Sequence, residues 1–66
     1  MKIILNGKEE ILGEATTVAG LIALKEINPK VVIVEHNYTL IKKEDWNVTA
    51  IKENDRLEIL RFVGGG

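Results

Sequence analysis

The sequence predicts an α+β roll, a mixed β-sheet wrapped over one face of a single α-helix. Three observations carry that prediction. Several short stretches have strand character, whereas only residues 18–25 carry apolar residues at helical spacing. The chain has 66 residues, so its connections are short and the helix has one sheet to pack against. Parallel pairing of the first and last strands at the centre of the sheet would use everything between them as the crossover.

Residues 1–5 alternate, with Met1, Ile3 and Leu5 on one face and Lys2 and Ile4 on the other, which makes a first strand. Asn6-Gly7 is a strong hairpin signal, because both residues accept a positive φ. Residues 8–12 return as a strand, polar at first and so at an edge. A strict two-residue turn would place Lys8 and Glu10 opposite Leu5 and Ile3 on the core face, so a bulge or a longer loop is predicted there.

Thr16 or Thr17 is placed to cap the helix that follows. Val18, Leu21, Ile22 and Lys25 fall at i, i+3, i+4 and i+7, with Leu24 beside them. Gly20 weakens the helix and would allow close approach to the sheet, and Pro29 is predicted to end it by forcing Asn28 out of the α region. Residues 31–34, all β-branched, make a buried strand, and residues 35–38 a turn. Leu40-Ile41 is a brief strand, residues 43–46 a helical turn, and Asn54-Asp55 the turn into a last strand over residues 55–63. Residues 1–62 are read as one domain and residues 63–66 as a flexible tail.

Composition excludes several functions. Hydrophobic residues at 45% support a core, but a chain this small has little room for an enclosed active site. Nine Lys and Arg against ten Asp and Glu, scattered along the chain, give no nucleic-acid footprint and no polybasic membrane patch. No apolar run approaches a membrane span and no secretory leader is evident, so the sequence predicts a cytoplasmic protein.

Enzyme signatures are nearly absent. Ser and Cys do not occur, and Thr39 with His36 nearby has nothing to mark it as an activated nucleophile. His36, the single histidine, reads as a solvated turn residue rather than a zinc ligand. Glu44, Asp45, Glu53 and Asp55 read as solvated turn carboxylates, and no phosphate-cradling loop is present. The sequence therefore names no catalytic residue and no metal site.

What remains is the C-terminus, Val63-Gly64-Gly65-Gly66. Three glycines carry no side chain that could shield the Gly66 carboxylate. Four extended residues reach about 13 Å from the fold, enough to present that carboxylate inside another protein. A carboxylate is a poor electrophile until it is activated as an acyl phosphate or adenylate, so such a chain would be a carrier or modifier that serves as its partner's substrate. A frayed and inert tail is the plain alternative.

The residues in order support one resemblance. The Asn6-Gly7 turn, Thr17-Val18 followed by Leu21-Ile22, and Val32-Ile33-Val34-Glu35-His36-Asn37 resemble the ThiS family of sulfur carriers in thiamine biosynthesis. Leu40-Ile41, Lys43-Glu44, Trp46, Leu57-Glu58-Ile59 and Phe62-Val63-Gly64-Gly65-Gly66 continue it to the end of the chain. Asn54 stands where that family often has Gly, a position that Asn tolerates. The resemblance implies the ubiquitin-like β-grasp fold. It also implies that a ThiF-type adenylating enzyme uses ATP and magnesium to adenylate Gly66. Persulfide sulfur from a cysteine desulfurase then makes a thiocarboxylate, which donates to the thiazole synthase ThiG. Gly64 and Gly65 would give passage through a narrow tunnel, and the free chain would be a monomer.

Strand alternation adds a partner surface. Leu57 and Ile59 should face the helix and Leu60 and Phe62 the opposite side, together with Ile4 from the first strand. Ile4, Leu60 and Phe62, with Val63 following, are then predicted to form an apolar docking patch at the root of the tail. Other readings are a different β-grasp sulfur carrier such as the small subunit of molybdopterin synthase, a ubiquitin-like protein modifier, or a non-catalytic interaction module.

Overall fold

The structure, a computed structural model, describes residues 1–62. The tail positions Val63, Gly64, Gly65 and Gly66 lie outside the described residues. The elements are β1 (Lys2–Leu5), β2 (Lys8–Ile11), α1 (Val18–Leu24), a 3-10 turn (Pro29–Val31), β3 (Val32–His36), β4 (Thr39–Ile41), a second 3-10 turn (Lys43–Asp45) and β5 (Arg56–Arg61). One five-stranded sheet has the order β2-β1-β5-β3-β4. β1 and β5 pair in parallel at its centre and every other pair is antiparallel, which is the mixed sheet over one helix that the sequence predicts.

The first hairpin corrects the sequence reading. Asn6 and Gly7 take φ of 51° and 82°, and the turn is a strict two-residue one, with Leu5 opposite Lys8 and Ile3 opposite Glu10. No bulge is needed, because β2 is the edge strand and its polar side chains lie at the rim of the helix. Lys8 is exposed, and Glu10 forms an ion pair with Lys25 at the end of α1. A second two-residue turn, Asn37-Tyr38, joins β3 to β4, and both of its residues take positive φ. The predicted four-residue turn is therefore half strand.

Thr17 caps α1, its hydroxyl accepting from the Gly20 amide at 3.1 Å. The Val18 and Ala19 amides donate to the carbonyls of Thr49 and Trp46, so the segment after β4 satisfies the start of the helix. A Cβ on Gly20 would run into the Thr16 hydroxyl, so this glycine allows close approach of the preceding loop rather than of the sheet.

The helix ends earlier than Pro29. Ile27 N–H donates to Ile22 C=O and Glu26 N–H to Ala23 C=O, the paired bonds of a Schellman motif, with Glu26 at φ 56°. Asn28-Pro29 instead opens the 3-10 turn, where Asn28 Oδ1 accepts from the Lys30 amide at 3.0 Å. A left-handed glutamate is strained, and its charge opposes the helix dipole. Glu26→Gly is therefore expected to stabilise the protein by about 1 kcal/mol, net of the added freedom of the unfolded chain. A higher urea midpoint at unchanged m-value would show it, and an unchanged or lower midpoint would contradict it.

Ile3, Leu12, Val18, Leu21, Ile22, Val32, Val34, Trp46, Ile51 and Leu57 form the core between helix and sheet. Trp46 fills it from the second 3-10 turn, and its indole N–H donates to Ile41 C=O at 3.1 Å. Leu24 is exposed, off the stripe of Val18, Leu21 and Ile22 that α1 buries. Among the described residues no helix is long and apolar enough to cross a membrane.

Candidate functional site

The site is built on β5, the strand whose sequence leads into Val63-Gly64-Gly65-Gly66. β5 is central, with β1 on one side and β3 on the other. Side chains extend its pairing beyond these ladders. Asn6 Oδ1 accepts from the Ile59 amide at 2.7 Å, and the Asn6 amide donates to Leu57 C=O at 2.9 Å. At the far end the Phe62 amide donates to Val31 C=O at 3.0 Å, so the chain is held through the last described residue.

The start of β5 is fixed by residues that the sequence reading placed in solvent. Asp55 is buried, and its Oδ2 lies 2.6 Å from His36 Nε2. A carboxylate can only accept, so Nε2 carries the hydrogen. Lys52 N–H donates to the same oxygen at 2.8 Å and Asn37 Nδ2 donates to Oδ1 at 3.1 Å. Asn37 Oδ1 in turn accepts from the Arg56 amide at 2.9 Å. His36 is thus half-buried and paired, not a free turn residue, and Asp55 is a strut between β3 and β5. Neither was legible locally, because the partners lie 18 and 19 residues apart.

Burial alone would raise the Asp55 carboxyl. The hydrogen bonds from His36, the Lys52 amide and Asn37, with the charge of His36, outweigh it and hold the group below its ordinary value. The ionised form therefore stabilises the fold. That contribution is complete above the unfolded value of about 3.9 and is lost as pH falls through the lowered folded value. Asp55→Asn is expected to cost about 2 kcal/mol at neutral pH, and to flatten the loss of stability between about pH 5 and pH 2. Urea unfolding across that range checks both, and an equally steep acid limb in the variant would refute the strut.

The face of the sheet away from α1 carries the apolar side chains predicted to dock a partner. Leu60 and Phe62 are 44% and 42% exposed there, beside Ile33 at 39% and Leu40 at 59%. Ile33 is the cross-strand partner of Leu60. Leu40 pairs with Glu35, one step from Ile33 on the same face. Ile33 was missed because residues 31–34 read as a wholly buried strand, whereas Val32 and Val34 are buried and Ile33 faces outward. Leu40 was missed because its face follows only from the register of β4 against β3.

Ile4 does not join this cluster. The parallel register sets Ile4 opposite Arg56, four residues before Leu60 and so about 13 Å down the strand at 3.3 Å per residue. Glu58 stands between, paired with Arg56 at 3.2 Å. Val63, the remaining predicted member, lies outside the described residues.

The comparisons bear on this arrangement. The sequence profile of the ThiS family matches residues 2–66, which takes in the glycine tail. The chain belongs to the ThiS family. It is 40% identical over 63 residues to the sulfur carrier protein ThiS of Bacillus subtilis, covering 94% of this chain and 96% of that one. Two relatives named thiazole synthase, from Paramagnetospirillum magneticum and Magnetococcus marinus, are 33% identical over all 66 residues, and this chain spans 20% of their length. The crystal structure of the ThiS thiamine biosynthesis protein from Geobacter metallireducens superposes with a TM-score of 0.87 at 35% identity, covering both chains fully. The ThiS fold is therefore this one, the β-grasp expected from the sequence.

Proposed function

We propose that this chain is a sulfur carrier of thiamine biosynthesis whose working group is the carboxylate of Gly66. The observation that carries the proposal is the position of β5: the central strand of the sheet leads directly into the glycine-terminated sequence that the family match includes. A ThiF-type enzyme would use ATP and magnesium to join the Gly66 carboxylate to AMP, converting a poor electrophile into a reactive anhydride. The terminal sulfur of a persulfide from a cysteine desulfurase would attack the acyl carbon and displace AMP, giving an acyl disulfide. A second thiol, supplied by the partner proteins because this chain has no cysteine, would then cleave the S–S bond, leaving the sulfur on the acyl carbon and a disulfide on the donor side. The resulting thiocarboxylate would pass to thiazole synthase. The chain is then a substrate of its partners and supplies no catalytic group.

Thiazole synthase as the acceptor is supported by the two relatives of that name that contain a region matching this whole chain. Identity with the Bacillus carrier over nearly the full length of both proteins supports the same reading. Gly64 and Gly65 would let the terminus enter a channel too narrow for side chains. The apolar cluster at the end of β5 would dock the partner while the terminus enters.

The test is mass spectrometry of the full chain after incubation with ATP, magnesium, the adenylating enzyme and a sulfur donor. The mass change of one oxygen replaced by sulfur, localised to Gly66, is the expected result. An unmodified terminus in the presence of an active enzyme would overturn the reading.

A further inference from the structure

Basic residues are unevenly placed around the end of β5. Two grooves flank it. One, of about 260 Å³, lies on the helix side and is lined by Lys25 and Arg61 among Ile27, Val32 and Ile59. The other, of about 280 Å³, lies towards β4 and is lined by Lys42 and Lys43 among Ile33, Leu40 and Phe62. No carboxylate lines either groove. Lys25 is paired with Glu10, but Lys42, Lys43 and Arg61 have no carboxylate partner among the described residues. Lys43 instead lies over the Trp46 ring at 5.6 Å. Glu44 and Asp45 follow in the 3-10 turn without lining either groove, and Glu35 and Glu58 bound the apolar cluster on the side away from the chain end.

A protein that takes in the terminus must surround the end of β5, and so it meets both grooves together. We infer that the surface of thiazole synthase that receives this chain is apolar at its centre and ringed by carboxylates that seat against Lys42, Lys43 and Arg61. This rests on thiazole synthase being the acceptor. The net charge of the chain is -1, so the attraction cannot come from its overall charge. It comes from local cations at the one end that the partner engages. Charges of this kind act mainly on the rate of encounter and are screened by salt.

The experiment measures association of the full chain with immobilised thiazole synthase from the same organism, at rising sodium chloride. The unsubstituted chain is expected to associate more slowly as salt increases. Lys42→Glu and Arg61→Glu should each slow association about tenfold at low salt. Lys52→Glu, at the opposite end of β5, makes the same change in net charge and should have little effect. All three positions are exposed, and thermal melts will verify that the variants fold. Wild-type rates in Lys42→Glu and Arg61→Glu, an equal loss in Lys52→Glu, or no binding by the unsubstituted chain would each overturn the inference. The carrier reading is judged separately, by the sulfur mass change on Gly66, and survives any outcome in which that change appears.

Discussion

Adding one residue after Gly66 is expected to abolish thiocarboxylate formation and to leave folding unchanged. The addition converts the Gly66 carboxylate into an amide, which has no oxygen able to attack the α-phosphorus of ATP. It also moves the terminal carboxylate one residue further along, out of the position at which the proposed activation would take place. Stability should move by less than about 0.5 kcal/mol, because the core residues and the struts of β5 all lie within residues 1–62. Deletion of Gly66 should behave in the same way, since it shortens the reach of the terminus by about 3.5 Å. Both variants are checked by the sulfur mass change and by urea unfolding in parallel. A C-terminally extended chain that still gains sulfur would end the carrier reading.

Much of this was legible in the sequence, and the reasons differ by element. Helix α1 was readable because Val18, Leu21 and Ile22 follow the helical period and Thr17 supplies a local cap. Its end was misplaced because Pro29 is a conspicuous terminator, whereas the actual stop is a left-handed glutamate that no composition rule favours. The first hairpin was misread for a related reason. Core-facing polar residues look unacceptable until the sheet order shows that their strand is the edge and that Lys25 waits at the helix end. Asp55 and His36 could not be paired from sequence, since only the antiparallel register of β3 and β5 brings them together. The docking cluster was half legible. Alternation gave the faces of Leu60 and Phe62, but which strand lies beside them, and in what register, decides whether Ile4 or Ile33 is their neighbour.

Replacing Leu60 and Phe62 together by serine is expected to weaken binding to the adenylating enzyme and to thiazole synthase by about 3 kcal/mol each, roughly a hundredfold in Kd. Both side chains stand on the sheet face opposite the core, with Ile33 and Leu40 alongside, so a partner seated there would desolvate a continuous apolar surface at the end of β5. Their loss should cost the fold less than about 1 kcal/mol, since each is already substantially exposed and the strand hydrogen bonds do not depend on them. Ile4→Thr is the discriminating control. Ile4 is on the same face but opposite Arg56, with the Arg56–Glu58 pair between it and the cluster, and it should leave both affinities within about threefold of the original. Normal binding by the Leu60/Phe62 double variant would remove the cluster from the docking surface. An effect of Ile4→Thr as large as that of the double variant would mean that the partner covers the whole outer face of the sheet, charged pair included, rather than its apolar end.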